Sequence, residues 1–295
     1  MGKASSVRYV FKACAKGSDY RYAALRINDW NGTDTMGYSA FDLTGKVVLV
    51  TGGNRGIGFG MAKAIAEAGG NVAIWGTNAE KTAAACAQLS ADGGNVIGAQ
   101  VDVSDAAAVD HEMDRLIAQC GRVDAVFANA GIGRPAASFL DIKDADWRRV
   151  MDVNLDGVYF TLRAAARHMK ARAEAGDAGG SLVGVASLAA IEGSAANQHY
   201  AATKGAVVSM IKSVAVEFAR YGIRANAVLP GWIATDMTER HQQNDRFVAK
   251  VLPRVPIRRW GEPDDFGGMA VYLASDASRY HTGTTNIIDG GYSVF

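Results

Sequence analysis

Three polar side chains in the second half of the chain have the types and the spacing for proton transfer. Tyr200 and Lys204 are four residues apart at the start of the helix-like run YAATKGAVVSMIKSVAVEFARYG, so they share one helical face. Ser187 comes thirteen residues before the tyrosine. A free tyrosine titrates at about 10, so acid or base work near neutrality requires its pKa to fall by about 2–3 units. The ammonium group of Lys204 is expected to supply that depression.

Ser187 ends the apolar segment SLVGVAS, which is typical of a buried strand. Ligands bind at the carboxyl ends of strands in open α/β sheets, so its hydroxyl is placed to donate to a substrate carbonyl. A serine nucleophile fits poorly, because the flanking residues lack the glycines of a nucleophile elbow. The structural alternatives are a turn cap for Ser187 and simple helix packing for Tyr200 and Lys204.

A glycine-rich turn, TGGNRGIG, lies between the strand-like segment KVVLV and the helix-like segment GMAKAIAEAGG. In this position such a turn is typical of dinucleotide binding, because glycine permits positive φ and close approach to a pyrophosphate at a helix N-terminus. An ordinary strand-to-helix turn is the alternative. The candidate cofactor contacts in it are Thr51, Gly52, Asn54, Arg55, Gly56, Ile57 and Gly58.

The end of the second predicted strand bears on the choice of cofactor. Gly76 stands where a carboxylate would bond the ribose hydroxyls of NAD. With Thr77 and Asn78 as neutral donors and Arg55 as a nearby cation, the pocket is expected to hold NADP, with NAD as the second possibility. Arg55 as a solvated loop residue is the structural alternative.

From Phe41 onward, strand-like and helix-like segments alternate, which predicts a parallel sheet with helices on both faces. The strand-like runs are almost continuously apolar, as strands buried on both faces are. The predicted strands are 46–50, 71–75, 95–103, 124–131, 181–187, 223–231 and 286–291. The expected fold class is α/β, a three-layer Rossmann fold with a doubly wound parallel sheet of about seven strands.

The domain organisation follows from the same pattern. Residues 41–295 are expected to form a single domain with a substrate loop near 232–255. The first 40 residues have no sustained period and are interpreted as an N-terminal extension. This extension could be an arm, a weakly basic leader, or sequence upstream of a start at Met36.

Composition excludes several classes of function. The formal net charge is +1, from 31 basic and 30 acidic residues that are intermixed along the chain. This composition does not indicate a basic surface that would bind nucleic acid or an anionic membrane. Three scattered cysteines, Cys14, Cys86 and Cys120, indicate a reducing compartment rather than a disulfide framework. No apolar run reaches the roughly 20 residues of a spanning helix, so a soluble cytoplasmic protein is expected. The histidines form no recognisable ligand set, and no metal is expected.

Taken together, these motifs resemble those of the classical short-chain dehydrogenase/reductase family over residues 41–295. Thr51–Gly58 resembles the family's T-G-x-x-x-G-x-G turn. The residues that resemble its catalytic tetrad are Asn154, Ser187, Tyr200 and Lys204. Besides the glycine turn and Thr77, the cofactor contacts that this resemblance implies are Asp102, Val103, Asn129, Ala130, Gly131, Tyr200, Lys204, Pro230, Gly231, Ile233 and Thr235.

The resemblance implies an NAD(P)-dependent oxidoreductase that interconverts a secondary alcohol and a ketone. Tyr200 would be the general acid and base, and Ser187 would orient the carbonyl. Asn154 would kink its helix and hold a water that links Lys204 to solvent. A homotetramer or homodimer is implied, with the helices near 146–173 and 200–221 pairing across a twofold axis. The alternatives are a catalytically idle dinucleotide-binding regulator and a structural or interaction protein.

The substrate stays open among a sugar or polyol, a hydroxy-ketone, a steroid-like alcohol and a 3-oxoacyl thioester. An apolar wall or lid is expected from Trp232, Met237 and Phe247, and contacts to hydroxyls could come from Glu192, His199 and His241. A basic patch for an acidic acyl-carrier protein could be formed by Arg167, Lys170, Arg172 and Arg220. Solvated helix faces are the alternative explanation of these cations.

Overall fold

Seven parallel strands form one sheet in the computed structural model, which describes residues 38–91 and 93–295. The spatial order is β3-β2-β1-β4-β5-β6-β7, and every neighbouring pair is parallel. The strands are Val47–Thr51 (β1), Asn71–Gly76 (β2), Asn95–Gln100 (β3), Ala125–Ala128 (β4), Gly180–Val185 (β5), Ile223–Pro230 (β6) and Thr285–Ile288 (β7). The predicted doubly wound sheet is therefore confirmed, and its order reverses between β1 and β4, where ligands bind in such folds.

Helices cover both faces of this sheet. They are Gly56–Glu67 (α1), Ala79–Ala91 (α2), Ala106–Cys120 (α3), Asp144–Met151 (α4), Gly157–Glu174 (α5), Ala189–Glu192 (α6), Gln198–Phe218 (α7), Glu239–Gln242 (α8), Asp245–Val251 (α9) and Gly267–Ala274 (α10). One core layer joins the sheet to α3, α5 and α7, and a second joins it to α1, α2 and α10. Ala40–Phe295 form one compact unit.

Five strands, β3 to β7, end earlier than their predicted limits. At β3 and β4 the reason is that polar side chains take over the backbone donors. Beyond β4, the N–H groups of Asn129 and Ala130 both donate to Oγ1 of Thr51, at 3.0 Å each. Beyond β3, the carboxylate of Asp102 accepts the N–H of Ser104 at 3.0 Å and turns the chain toward α3. At the carboxyl ends of β3 and β4, these polar turns therefore replace further hydrogen bonds between strands.

The long helix predicted near 146–173 is interrupted. A π-helical turn, Asp152–Asp156, separates α4 from α5 and contains Asn154. Gly157 follows it, and a Cβ at that position would lie only 2.6 Å from Cγ2 of Val103. π-Turns arise where an extra residue is accommodated in a helix, and they are frequent at functional sites, so the interruption points to a functional role for this part of the helix.

Three features of the sequence prediction concern residues that lie outside the described part of the chain. They are Cys14, Met36 and nearly all of the extension at 1–40, so the domain division and the alternative start stay predictions. Within residues 38–91 and 93–295, no helix combines the length and the apolar character needed to cross a membrane.

Candidate active site

The glycine turn joins β1 to α1 at the point where the strand order reverses. Gly52 and Gly56 have φ of +64° and +53°, a region that favours glycine. A Cβ at Gly56 would lie 3.2 Å from Cγ2 of Thr235. The N-cap residue of α1, Arg55, makes no side-chain cap hydrogen bond, so no side chain covers the first-turn donors. This cradle fits the pyrophosphate of a dinucleotide, and these are the residues that could hold it.

Asn129 ties the glycine turn to the end of β4. Its Nδ2 donates to the carbonyl oxygens of Thr51, at 3.0 Å, and Gly52, at 3.3 Å. Gly58 packs directly over this amide and over the Gly52 carbonyl, and a Cβ there would collide with both. Asn129 therefore acts on the backbone of the turn and holds its shape.

The end of β2 has no room for a carboxylate. A Cβ on Gly76 would lie 2.8 Å from Oγ1 of Thr82 and would collide with the amide of Asn54, which itself donates to Thr82 at 3.1 Å. Thr77 is exposed, whereas Asn78 accepts the N–H of Lys81 at 2.8 Å. Of the two neutral donors expected here, Asn78 thus has its side-chain oxygen engaged at the start of α2.

Arg55 reaches across the cleft to the substrate loop. Its guanidinium lies 2.7 Å from a carboxylate oxygen of Asp236, which follows Thr235, and both side chains are largely exposed. An exposed ion pair contributes at most about 1 kcal/mol, so Arg55 stays available to a stronger anion. The sequence did not reveal this pairing, because the two residues are far apart in the chain.

Asp102, expected on the adenine side, is held by two neighbours. Ser104 Oγ donates to it at 2.6 Å, and Arg149 donates from the last turn of α4 at 2.9 Å. Partial burial works to raise the pKa of Asp102, but the hydrogen bonds from Ser104 and the Arg149 charge together lower it. Val103, the next residue, is buried. A fixed, ionised carboxylate therefore stands at this edge.

Lys204 lies almost wholly buried beneath the cleft. The side chain is 3 % exposed, and Nζ donates to the carbonyl oxygen of Val185, the last residue of β5, at 2.8 Å. Burial lowers the pKa of Lys204 to about 8. Nζ lies 5.5 Å from the ring centroid of Tyr200, so the two side chains share one face of α7 as their spacing predicts.

The expectation for the pKa of Tyr200 is wrong for the protein chain itself. Burial raises the pKa of Tyr200, and a hydrogen bond with Ser187 lowers it by less. Loss of solvation of the phenolate therefore outweighs the favourable neighbours. Ser187 Oγ also accepts the N–H of Ala189, the first residue of α6, at 3.2 Å, so this hydroxyl contacts both that backbone and the tyrosine.

Asn154 lies in the π-helical turn with no exposed surface. Its Oδ1 accepts the N–H of Ile132 and its Nδ2 donates to the carbonyl of the same residue, both at 2.8 Å. Gly131 lies between this amide and the lysine, because its Cβ would be 3.4 Å from Oδ1 of Asn154 and 3.5 Å from Nζ of Lys204. The loop after β4 is thus pinned directly against the lysine.

Two segments close the other side of the site. The Leu188 N–H, next to Ser187, donates to the carbonyl of Pro230 at 3.1 Å, and Gly231 donates to Ile288 on β7 at 2.9 Å. Ile233 then forms a parallel bridge with Gly261. Four of the predicted cofactor-side positions, Pro230, Gly231, Ile233 and Thr235, therefore run in sequence from the end of β6 past the glycine turn.

The substrate loop carries an aromatic cluster. Trp232 meets Phe247 and His241 edge-on at centroid distances of 5.0 and 5.8 Å, and Tyr292 at 6.4 Å. Leu188 belongs to the same buried cluster. Trp232 and Phe247 thus pack into one apolar cluster, whereas Met237 is half exposed, and their role as a substrate wall stays a prediction.

The expected hydroxyl contacts have different surroundings. His199 is fully buried and stacks on Trp147, with the two ring centroids 6.3 Å apart. It therefore packs against Trp147 and not within the aromatic cluster of Trp232. Burial raises the pKa of Glu192, with Arg254 opposing and Asp289 reinforcing that rise. In the described chain, no cluster of three or more His, Cys, Asp or Glu side chains could hold a metal ion.

Sequence reasoning missed four groups of this site: the Val185 carbonyl, the Ile132 backbone, Arg149 and Asp236. The first two are backbone groups, which carry no side-chain signal. Arg149 had a weak signal, because a cation beside a strand-end aspartate is a plausible partner. Asp236 lay within the substrate loop, but nothing in its spacing indicated Arg55.

Comparison with known proteins identifies many relatives of similar length. A family model described as enoyl-(acyl carrier protein) reductase matches residues 52–293. A 3-oxoacyl-(acyl-carrier-protein) reductase of Chlamydia pneumoniae is 40 % identical over 250 residues, which cover 84 % of this chain and 97 % of the relative. An L-rhamnose 1-dehydrogenase (NAD(P)(+)) of Azotobacter vinelandii is 38 % identical over 256 residues, which cover 85 % and 98 %.

Solved structures agree with these matches. A gluconate 5-dehydrogenase from Burkholderia cenocepacia, in complex with NADP and tartrate, superposes with a TM-score of 0.82 at 36 % identity. The match covers 87 % of this chain and 98 % of that one. The fold and the order of its parts are therefore shared along nearly the whole of that protein.

Replacing the buried lysine should stabilise the fold near neutrality. Below about pH 8 Lys204 is charged in both the folded and the unfolded protein, so the folded protein carries the full free-energy cost of burying the charge. Above the ordinary lysine pKa of 10.5 the amine is neutral in both, and this cost is absent. A fall from 10.5 to about 8 corresponds to about 3 kcal/mol, and the Val185 carbonyl left unpaired costs about 1 kcal/mol. Lys204→Met should therefore gain about 2 kcal/mol at about pH 7.

Urea unfolding of both proteins at about pH 7 and about pH 10.5 measures this difference, which should reverse sign at the higher pH, because the cost of burying the charge is then largely gone and the lost hydrogen bond to the Val185 carbonyl remains. Lys212→Met, an exposed lysine on the same helix, is the control and should show no such pH dependence. A Lys204→Met protein that is less stable than the parent at about pH 7 would contradict the account.

Proposed function

The chain belongs to the classical branch of the short-chain dehydrogenase/reductase family, whose members are NAD(P)-dependent oxidoreductases, and we propose that Tyr200, Ser187, Lys204 and Asn154 perform its chemistry. The reaction interconverts a secondary alcohol and a ketone, and reduction of the carbonyl is the favoured direction. The observation that carries the assignment is the buried ammonium of Lys204 beside the ring of Tyr200, which itself contacts Ser187.

Each residue has a separate task in this mechanism. Tyr200 protonates the carbonyl oxygen in reduction and accepts the proton in oxidation. Ser187 donates a hydrogen bond to the same oxygen and orients it. Lys204 supplies a positive charge that a low-dielectric site screens poorly. A bound nicotinamide supplies or accepts the hydride.

Asn154 is proposed to act through its neighbours. Both ends of its amide bond the backbone of Ile132, which holds Gly131 against Lys204. The resemblance also implies a water beside Asn154 that replaces the proton of Tyr200 after each turnover. The π-helical turn supports this role, because it brings a buried amide to the edge of the sheet where the lysine lies.

We propose NADP as the preferred cofactor, with NAD as the weaker one. Gly76 leaves no space for the carboxylate that would favour NAD, and Arg55 is a cation at the rim of the glycine turn. The similar gluconate 5-dehydrogenase was crystallised with NADP. The remaining proposed contacts are Thr51, Gly52, Asn54, Gly56, Ile57, Gly58, Thr77, Asp102, Val103, Asn129, Ala130, Gly131, Pro230, Gly231, Ile233 and Thr235.

The substrate is proposed to be a small carbonyl compound of the sugar or 3-oxoacyl type, as the names of the relatives suggest. Docking of an acyl-carrier protein has less support. Arg172, one of four cations assigned to such a patch, is only 12 % exposed and bonds Asp124 and Asp177. Lys170 pairs with Glu174 on the same helix. The patch is therefore largely committed within the chain.

A homotetramer or homodimer in the cytoplasm completes the proposal. Apolar side chains exposed on the long helices support assembly, because Val216 on α7 is 83 % exposed and Tyr159 on α5 is 45 % exposed. Cys86 and Cys120, both unpaired, support a reducing compartment. Sedimentation analysis tests the assembly, and a monomer at high concentration would contradict it.

Removing the phenol hydroxyl tests the proposed mechanism. Tyr200→Phe should lower kcat for carbonyl reduction by about 100-fold or more, because the acid is lost, while NADPH binding stays within about twofold. Turnover is followed by NADPH absorbance over a panel of sugar, hydroxy-ketone and 3-oxoacyl carbonyls. Retained activity would refute the role of Tyr200, and a wild-type protein inactive on the whole panel would favour an idle dinucleotide-binding regulator.

The cofactor preference has its own test. Arg55→Ala should raise the KM for NADP by about 10-fold or more and leave that for NAD within about twofold, because a charge-assisted contact to the 2′-phosphate is lost. Asp236→Asn is the matched control, since it releases the guanidinium and should leave NADP binding unchanged or tighter. Equal effects of Arg55→Ala on both cofactors would contradict the assignment.

A further inference from the structure

Asn197 occupies the N-cap position of α7, the helix that carries Tyr200 and Lys204, without capping it. Asparagine is among the preferred residues at this position because its side-chain oxygen can accept an N–H of the first turn. In this helix the Asn197 side chain makes no cap hydrogen bond. Its amide therefore leaves the first-turn N–H groups of α7 uncapped.

The amide lies where three segments of the site meet. Nδ2 of Asn197 and Sδ of Met237 each lie 4.0 Å from the position of a Cβ at Gly133, which belongs to the loop after β4. Asn197 also precedes Tyr200 by three residues and Lys204 by seven, so all three share one stripe of α7. The amide thus borders the cleft on the same face as the proposed acid.

Polar atoms without partners are concentrated at this point. Among residues 38–91 and 93–295, five buried side-chain N or O atoms have no hydrogen-bond partner, and four belong to Asn197, Gln198 and His199. Such atoms are rare in native structures, since the loss of hydration is not compensated, and they often mark functional sites. The start of α7 therefore has hydrogen-bonding capacity that the described chain does not use.

We propose that Asn197 is a specificity-determining residue that hydrogen-bonds a hydroxyl group of a polyhydroxylated carbonyl substrate, close to the reacting carbon. This inference rests on the proposed function and narrows its substrate class. A primary amide can both donate to and accept from a hydroxyl, so it suits a sugar acid or polyol ketone. A plain alkyl ketone in the same place would leave the amide unpaired, which disfavours it.

A pair of ketones matched in charge and length tests the inference. Reduction of 5-ketogluconate and of 5-oxohexanoate, which lacks its hydroxyls, is compared with NADPH for the wild type and for Asn197→Ala. The variant should lose about 10-fold in kcat/KM for 5-ketogluconate and change by less than about twofold for 5-oxohexanoate. Asn95→Ala, which removes an exposed amide on β3, is the control and should change neither.

Equal losses on both ketones would show a structural role and overturn the inference, as would no loss on 5-ketogluconate. A binding measurement distinguishes failure of this inference about Asn197 from failure of the proposed function. Gluconate and hexanoate are titrated into Tyr200→Phe and into Tyr200→Phe combined with Asn197→Ala, with tryptophan fluorescence as readout. Gluconate should bind about 10-fold more weakly to the double variant, and hexanoate should not distinguish the two proteins. Equal gluconate binding overturns the inference, whether or not the wild type turns over either ketone.

Discussion

A nearly buried ammonium group imposes the main constraint on this site. Lys204 is 3 % exposed and its Nζ donates to the carbonyl oxygen of Val185 at 2.8 Å. Taking a cation out of water is unfavourable, which is why burial lowers the pKa of Lys204 to about 8. The same burial keeps the field of that charge from being screened at the Tyr200 ring, whose centroid lies 5.5 Å from Nζ. In the proposed mechanism, the fold therefore accepts lower stability in exchange for a charge beside the hydroxyl that transfers the proton.

Backbone contacts from several strands hold this arrangement together. β5 provides the carbonyl that receives the ammonium, and Gly131 after β4 lies 3.5 Å from it by its Cβ position. Asn154 fixes the next residue of that loop with both ends of its amide. Asn129 then connects the same loop to the glycine turn. The proposed acid and the dinucleotide cradle are thus parts of one hydrogen-bonded edge, which explains how hydride and proton transfer could be aligned.

The sequence was informative where side-chain type and spacing carry the physics. Almost continuously apolar runs between helix-like segments predicted the seven-stranded sheet, and the spacing of Tyr200 and Lys204 predicted their shared face. Strand ends were overestimated, because apolar residues continue past β4 while Thr51 captures the backbone donors. The rise in the pKa of Tyr200 could not be foreseen, since burial depends on tertiary packing. Nor could the pairing of Arg55 with Asp236, which only the folded chain brings together.

The acidity of one phenol decides whether this account is correct. Within the chain, burial raises the pKa of Tyr200, so the opposing effect must come from Lys204 together with the positive charge of an oxidised nicotinamide. The protein has ten tyrosines, so the ultraviolet titration of Tyr200→Phe is subtracted from that of the wild type to isolate one phenolate. With saturating NADP⁺, Tyr200 should titrate at least about one unit below the ordinary value of about 10, and in Lys204→Met it should not. A phenol that titrates at the same pH with and without the lysine would contradict the central claim.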